Sequence, residues 1–540
     1  MAFRFIALTL LFSALFGVLG FNLYQLQVEK GAYYFERAKA RSIALNELEL
    51  RRGEISFTDR HDNNIPVAQN RDYPIIYAAP KELKEPRVTA RMLAPEIGKG
   101  EAELIEIFEK NPASLYKLLV DKAPPEALAA VRRLKLSGIY TDERQDRFYP
   151  NESMAAQVIG FVGVNQEHDK PTGLAGVEKF YEDALSSGED TNLTIDRNIQ
   201  GRAEQILSEL IAEFDGTGGT VIVQEPKTGK IMALANSPSF NPNEYGKSSV
   251  KFFDNPAVQY VYEPGSVFKP LTMASGIDSG AITPETTFFD NGSVTLNGKT
   301  IRNWDNKAHG KVTMTNVIEQ SINTGAVFAE QKIGHGIFLD YLKHFGFGEK
   351  TSVDLPDEVR GSLKNLENKN ARAIDFATAS YGQGTSVTPI QLITAFSSIG
   401  NGGVLMRPYI NADLKPHVVR RVVQEETASK VTEMMESAVR KARIASISGY
   451  RIAGKTGTAF IPDFEKGGYT DQLIHTYVGF APASDPVFTI LIKLERPAHA
   501  ELAGMTVVPA FRGLAQFVLS HYNIAPDMLQ SPETVLKPKP

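Results

Sequence analysis

Glu263-Pro264-Gly265-Ser266-Val267-Phe268-Lys269 opens an apolar helical pattern that continues through Leu271, Met273, Ala274 and Ile277. Residues three apart share a helix face, so the Ser266 hydroxyl and the Lys269 ammonium meet across one turn. Pro270 falls within the first turn or so, where a missing N–H is best tolerated. The same turn offers free backbone N–H groups and the positive end of the helix dipole to charge developing at an attacked carbonyl. Serine is a poor nucleophile without a base, and lysine serves as one when burial and a second cation pull its pKa down. An S-x-x-K says little alone: Ser114-Leu115-Tyr116-Lys117 and Ser248-Ser249-Val250-Lys251 match it too, and serine favours helix starts for structural reasons.

Two further elements lie downstream. Ser321-Ile322-Asn323-Thr324-Gly325 sits between two helical segments. A Ser and an Asn two apart can both aim into a cleft, one relaying a proton and one donating an amide hydrogen bond, yet such residues are also what turns are made of. Ser239-Phe240-Asn241 repeats the pattern. Arg451-Ile452-Ala453-Gly454-Lys455-Thr456-Gly457-Thr458-Ala459 begins as an apolar strand, and Gly457 lets another backbone lie close against it. Thr456 and Thr458 face one side of that strand, so two hydroxyls and a lysine are placed to receive a carboxylate. Its copy Lys227-Thr228-Gly229, between two hairpin arms, reads as a turn.

Composition removes many alternatives. The chain has 540 residues, 42% hydrophobic and 22% charged, ample for a core. Its net charge of −5 carries no electrostatic footprint for nucleic acid, and Cys 0 excludes disulfides, thiolate metal sites and cysteine nucleophiles. Gly449 to Thr456 satisfies G-x-x-x-x-G-K-[ST], but β-prone Phe460-Ile461 and Pro462 follow where a phosphate-binding loop must open a helix. Neither H-E-x-x-H nor G-x-S-x-G occurs.

Phe5 to Phe21 is an apolar run broken only by Thr9 and Ser13, extendable through Leu26. It spans about 26–33 Å as a helix, bracketing a bilayer core. Arg4 precedes it and Glu29 follows, which favours a cytoplasmic N-terminus. The nearest small-x-small site, Ala38-Lys39-Ala40, lies well past the apolar end, so an uncleaved anchor is expected. A mixed helix over 26–44, a strand at Arg51 to Ile55, short strands such as Ile75-Ile76-Tyr77 and charged helices around 100–135 follow. From Leu193-Thr194-Ile195-Asp196 the pattern is strand, helix, the hairpin arms 220–223 and 231–235, a helix-rich middle over 266–440, then strands at 451–461, 475–481 and 487–494. This order predicts one mixed sheet fed from both ends of the domain.

Taken in order, Ser266-x-x-Lys269, Ser321-x-Asn323 and Lys455-Thr456-Gly457 resemble the motif triad of penicillin-binding proteins and serine β-lactamases. Arg147-Phe148-Tyr149-Pro150, Gly173 to Glu178, Leu193 to Asp196, Gly382-Gln383-Gly384 with Val387-Thr388-Pro389 and Gln391, and Val478 to Ala483 look like class B penicillin-binding proteins, most like the septal branch. The resemblance implies a mixed α/β fold whose transpeptidase domain, residues 193–522, has a central antiparallel sheet and a helical subdomain. It implies a cytoplasmic stub at 1–4, a transmembrane anchor at 5–26, a non-catalytic α+β pedestal, dimerisation-like, at 27–192, and a disordered tail at 523–540.

The implied activity is peptidoglycan D,D-transpeptidation in the inner membrane, single-pass, with the catalytic domain on the periplasmic side and no cofactor or metal. Ser266 would be the nucleophile, Lys269 its base, Ser321 and Lys455 the proton relay, and Asn323 the holder of the substrate amide. Thr456, Gly457 and Thr458 would bind substrate, with the backbone N–H groups of Ser266 and Thr458 as oxyanion hole. Stem peptides and nascent glycan strands are the implied substrates, β-lactam antibiotics the inhibitors, and a membrane-embedded glycosyltransferase and other division proteins the partners. The absence of E-x-x-L-N after the second motif fits an acyl-enzyme resolved by an amine. An elongation-type enzyme, a β-lactam hydrolase or sensor of the same fold, and a non-catalytic wall-assembly scaffold stay open.

Overall fold

The structure, a computed structural model, describes residues 2–31, 52–61, 63–165, 170–463 and 466–528. The expected juxtamembrane helix lies outside the described residues from residue 32 onward, as do Ala38-Lys39-Ala40, Arg51 and the tail from 529. Ala2–Tyr24 is one α-helix that runs on into a wider turn, Gln25–Glu29. Leu10, Phe16 and Val18 are exposed on it, and a helix apolar all round that none of the other described residues covers at these positions is suited to lipid. Among the described residues, one helix is long and apolar enough to cross a membrane, its apolar stretch running Thr9–Glu29.

The first sheet is built on Asn64–Ala78, which pairs with Ile55–Thr58, Lys117–Val120 and Ile139–Phe148. The strand expected at Leu193–Asp196 lies two residues earlier, at Thr191–Leu193, and completes this sheet in parallel register with Ile55–Phe57. The chain leaves the sheet at Thr194, whose N–H donates to Ile410 O at 2.6 Å. Asp196 then caps helix Arg197–Phe214, accepting from Asn198 N and Ile199 N. Under the sheet, the wholly buried Glu178 receives Arg52 and Arg147, both at 2.7 Å, and the Tyr149 hydroxyl at 3.2 Å. A carboxylate out of water needs such partners, so motifs far apart in sequence are bound into one joint.

The second sheet has the strand order Ala453–Pro462, Tyr469–Ala481, Phe488–Glu495, Gly218–Gln224, Ile231–Ser237, antiparallel throughout. Two strands come from the start of the domain and three from its end, as the pattern predicts. Side chains alternate between faces along each strand. Val221, Val223, Ile490 and Ile492 pack with Leu207, Phe511 and Leu514 of helices Arg197–Phe214 and Val507–His521. Ile222, Leu491, Val478 and Phe480 pack with Phe268, Leu271 and Phe396 on the opposite side. Helix Lys269–Asp278 is buried on nearly every face, its hydroxyls satisfied by Thr272 donating to Ser380 O and Ser275 to Leu271 O.

The helix-rich middle also holds three short antiparallel strand pairs, Thr287–Asp290 with Gly310–Thr313, Ser293–Leu296 with Lys299–Arg302, and Val404–Met406 with Val418–Arg421. The second turns on Asn297 and Gly298 at φ 48° and 73°, the dipeptide that supplies two left-handed residues, and its short arms were hidden by apolar helices on both sides. The tail, expected to be unstructured from Asn523, is docked over 523–528. Asp527 accepts from Arg451 N at 2.8 Å and from the Ser484 hydroxyl at 2.5 Å, and Met528 N donates to Gly449 O. The Pro- and Lys-rich composition that suggested disorder begins only beyond these residues.

Candidate active site

Ser266 lies half-buried on a tight helical turn, Gly265–Phe268, that runs directly into helix Lys269–Asp278. Lys269 is 0% exposed, and its Nζ lies 3.0 Å from Ser266 Oγ, 2.6 Å from Ser321 O, 3.1 Å from Ser321 Oγ and 2.8 Å from Asn323 Oδ1. Burial, reinforced by the charge of Lys455, holds the Lys269 ammonium well below the ordinary lysine pKa. A neutral amine has a lone pair to accept the Ser266 O–H while its two N–H groups reach neighbouring oxygens. That is the arrangement a general base needs before attack.

Ser321 ends helix Met314–Gln320 in the left-handed conformation, φ 57°, and Asn323 starts helix Asn323–Ile333. This corner brings the Ser321 hydroxyl between two lysines, 3.1 Å from Lys269 Nζ and 3.0 Å from Lys455 Nζ. Lys455 is 4% exposed and also donates to Thr456 O at 3.0 Å. Burial pulls its pKa down to about 7, so it exchanges protons readily near neutrality. Asn323 is more committed than expected. Its Oδ1 accepts Lys269 and its Nδ2 donates to Arg302 O at 2.9 Å, leaving one amide N–H for a ligand.

Strand Ala453–Pro462 forms the sheet edge beside the serine turn. An added Cβ on Gly457 would meet Pro264 O at 2.8 Å and Val267 N at 3.2 Å, so only glycine lets the strand approach this closely. Thr456 and Thr458 are both partly exposed between buried neighbours, and both line the cleft with Ser266 and Ser321. The Thr458 hydroxyl accepts from Ala503 N at 3.1 Å, which fixes it in place. Lys455 and Thr456 continue a strand instead of opening a helix, so the phosphate-loop pattern lacks its anion site. The other repeats stay apart from the cleft. Lys227-Thr228-Gly229 is a hairpin turn, with Lys227 paired to Asp485.

Several supporting groups escape sequence reasoning. Gly382, at φ 80°, packs its backbone on Gly265, and the Glu263 carboxyl receives Gly384 N and the Tyr469 hydroxyl. Buried Asp290 accepts Thr324 Oγ1 at 2.7 Å, Gly292 N and Asn303 Nδ2 at 2.8 Å, and His309 N at 2.9 Å. It thereby anchors the residue next to Asn323. Gly382-Gln383-Gly384 was the only one of these with a visible sequence signal.

Comparison with known proteins gives this architecture its relatives. Residues 219–514 match the penicillin binding protein transpeptidase domain, and residues 48–221 match the penicillin-binding protein dimerisation domain. The chain is 30% identical to stage V sporulation protein D of Bacillus subtilis (strain 168), over 98% of this chain and 86% of that protein. It is 29% identical to peptidoglycan D,D-transpeptidase FtsI of Escherichia coli (strain K12), over 93% of this chain and 89% of that protein. A crystal structure of a peptidoglycan synthetase from Bifidobacterium adolescentis ATCC 15703 shares the fold, with a TM-score of 0.68 at 24% identity, covering 89% of this chain and 97% of that one. The pedestal sheet and the edge strand beside a serine–lysine turn are thus the two characteristic modules of one family, and this chain belongs to the penicillin-binding proteins.

Proposed function

We propose that this cleft cross-links peptidoglycan stem peptides by D,D-transpeptidation through an ester on Ser266. The observation that carries the reading is the unbroken run of hydrogen-bonding contacts from Ser266 Oγ through Lys269 Nζ and Ser321 Oγ to Lys455 Nζ. Neutral Lys269 takes the Ser266 proton as Oγ bonds to the carbonyl carbon of the penultimate D-Ala. The oxyanion rests on the backbone N–H groups of Ser266 and Thr458, donors of a kind typically worth about 2.7–4 kcal/mol each. Collapse breaks the C–N bond, and the proton reaches the departing D-Ala amine through Ser321 and Lys455. Thr456 and Thr458, with Lys455, hold the terminal carboxylate, and Asn323 directs its remaining amide N–H to the donor peptide. An acceptor amine then attacks the ester, and its proton returns to Ser266 by way of Lys269.

A β-lactam acylates the same serine because its strained amide imitates the substrate. Mass spectrometry of the intact penicillin adduct should map it to Ser266 and find none in Ser266→Ala; labelling of that variant refutes the assignment. Failure of wild type to acylate favours a scaffold, and fast nitrocefin turnover favours a hydrolase. The septal role is supported by likeness to FtsI along almost the whole chain. With the anchor at the N-terminus and one Arg before it, the catalytic domain lies outside the cytoplasmic membrane, where nascent glycan strands, a membrane-embedded glycosyltransferase and division proteins are its partners.

A further inference from the structure

Thr458 and His475 stand directly opposite each other on the two paired strands at the cleft, so their side chains leave the same face of the sheet. One short turn, Ala503–Met505, is tied to both. Ala503 N donates to Thr458 Oγ1 at 3.1 Å, and the hydroxyl of Thr506, the next residue after the turn, meets His475 Nδ1 at 2.9 Å. Thr506 also closes the turn on itself, its N–H reaching Ala503 O at 3.3 Å and its Oγ1 donating to the same oxygen at 3.4 Å. His475 and Thr506 are 0% and 1% exposed, whereas Ala503 and Gly504 line the cleft. The reaction above leaves this imidazole without a task.

What the turn does to Thr458 follows from the hydroxyl's own inventory. A threonine hydroxyl has one O–H to donate and two lone pairs to accept. The Ala503 N–H takes a lone pair, and among the described residues nothing accepts the Thr458 O–H. Thr456 is arranged alike, its Oγ1 accepting Lys455 Nζ at 3.3 Å. Both hydroxyls are left to donate into the cleft, and a donor aimed in advance needs no reorganisation when its ligand arrives. Burial pushes the His475 imidazole down to about 4, so near neutrality it brings no charge to the site and offers Thr506 a hydrogen bond. Either tautomer makes that bond, Nδ1 donating to the hydroxyl oxygen or accepting its proton.

We infer that His475 is a positioning residue for the donor's carboxylate: by holding Thr506 it fixes the turn Ala503–Met505, which keeps the Thr458 hydroxyl aimed at that carboxylate. The inference rests on the transpeptidase reading. A hydrogen bond to a charged group is worth about tenfold or more in affinity, so loss of the aim should cost about tenfold with ligands that carry the carboxylate and nothing with ligands that lack it.

The test uses the full chain in detergent with benzylpenicillin and its methyl ester, and reads the ratio of their second-order acylation rates from the Ser266 adduct by intact-protein mass spectrometry. With both, Ser266 Oγ bonds to the lactam carbonyl carbon, the ring C–N bond breaks and the ring nitrogen takes the serine proton. The steric cost of the ester methyl is common to all variants, so the ratio follows the carboxylate alone. His475→Leu and Thr506→Val should each lower the acid-to-ester ratio about tenfold while the ester rate stays within twofold of wild type. His475→Asn, whose amide can place a donor or an acceptor where Nδ1 stands, should restore the ratio to within threefold. Thr458→Val should lower it by the same factor as Thr506→Val, and the two together no further. A ratio within threefold of wild type in Thr506→Val, a change that keeps nearly the same shape, overturns the inference alone, even where His475→Leu fails to fold; so does a further tenfold fall in the double variant. Wild type that benzylpenicillin does not acylate overturns the transpeptidase reading and the inference with it.

Discussion

Gly457→Ala adds one methyl where the edge strand meets the serine turn, and its consequence can be worked from distances. The new Cβ would lie 2.8 Å from Pro264 O and 3.0 Å from Val267 Cγ1. Ordinary C···O contact begins at about 3.3 Å, so strand and turn must part by about 0.5 Å, and the nearest obstacle is backbone that cannot rotate away. Overpacking of this kind costs about 1–3 kcal/mol, a fall in thermal midpoint of about 2–6 °C for a domain of this size. The same displacement widens the gap between the Ser266 and Thr458 N–H groups. If a 1 Å misplacement costs about a hundredfold, half of it costs about tenfold in acylation. The assay is the second-order rate of labelling by a fluorescent penicillin, taken well below the variant's melting transition. A rate within twofold of wild type would show that this contact does not set the oxyanion geometry.

Two further outcomes follow from buried charge. Lys455 has a pKa of about 7 when folded against an ordinary 10.5, so between those values the unfolded chain binds more protons and stability climbs with pH; Lys455→Met should flatten the climb in thermal midpoints taken from pH 7 to 10, and an unchanged slope contradicts the burial argument. Asp290→Asn replaces an acceptor-only group on which four donors converge, so it should cost about 2–3 kcal/mol and slow acylation through the loosened start of helix Asn323–Ile333; an unaltered thermal midpoint refutes the anchoring role.

What could be read from the residues was what repeats or alternates. Val221 to Val223 and Ile490 to Ile492 alternate cleanly between two apolar faces, so the sheet and its feeding from both ends were legible. Ser266 and Lys269 were legible because one helical turn dictates their meeting. The strand expected at Leu193–Asp196 forms instead at Thr191–Leu193, because a strand's pattern reports that it pairs, not with which partner, and its partner is Ile55–Phe57 far upstream. Asp290 and His475 went unread for a related reason. Each acts through atoms that only the tertiary fold brings near, and an isolated aspartate or histidine carries no sign of that.

Ser321 shows why the legible and the hidden parts of the site need each other. Its left-handed backbone, φ 57°, disfavours any residue with a Cβ by about 1–2 kcal/mol, and glycine would remove that cost. Glycine would also remove the hydroxyl, which stands within 3.1 Å of both Lys269 Nζ and Lys455 Nζ. The left-handed turn at the same time aims Ser321 O at Lys269, at 2.6 Å, and starts the next helix at Asn323. Two buried lysines this close disfavour each other's charge, and one hydroxyl between them allows a proton to be shared without either amine moving. The strain at Ser321 is therefore coupled to the depressed Lys269: relaxing the backbone would separate the lysines from their bridge, and the base would lose its outlet for the proton it removes from Ser266.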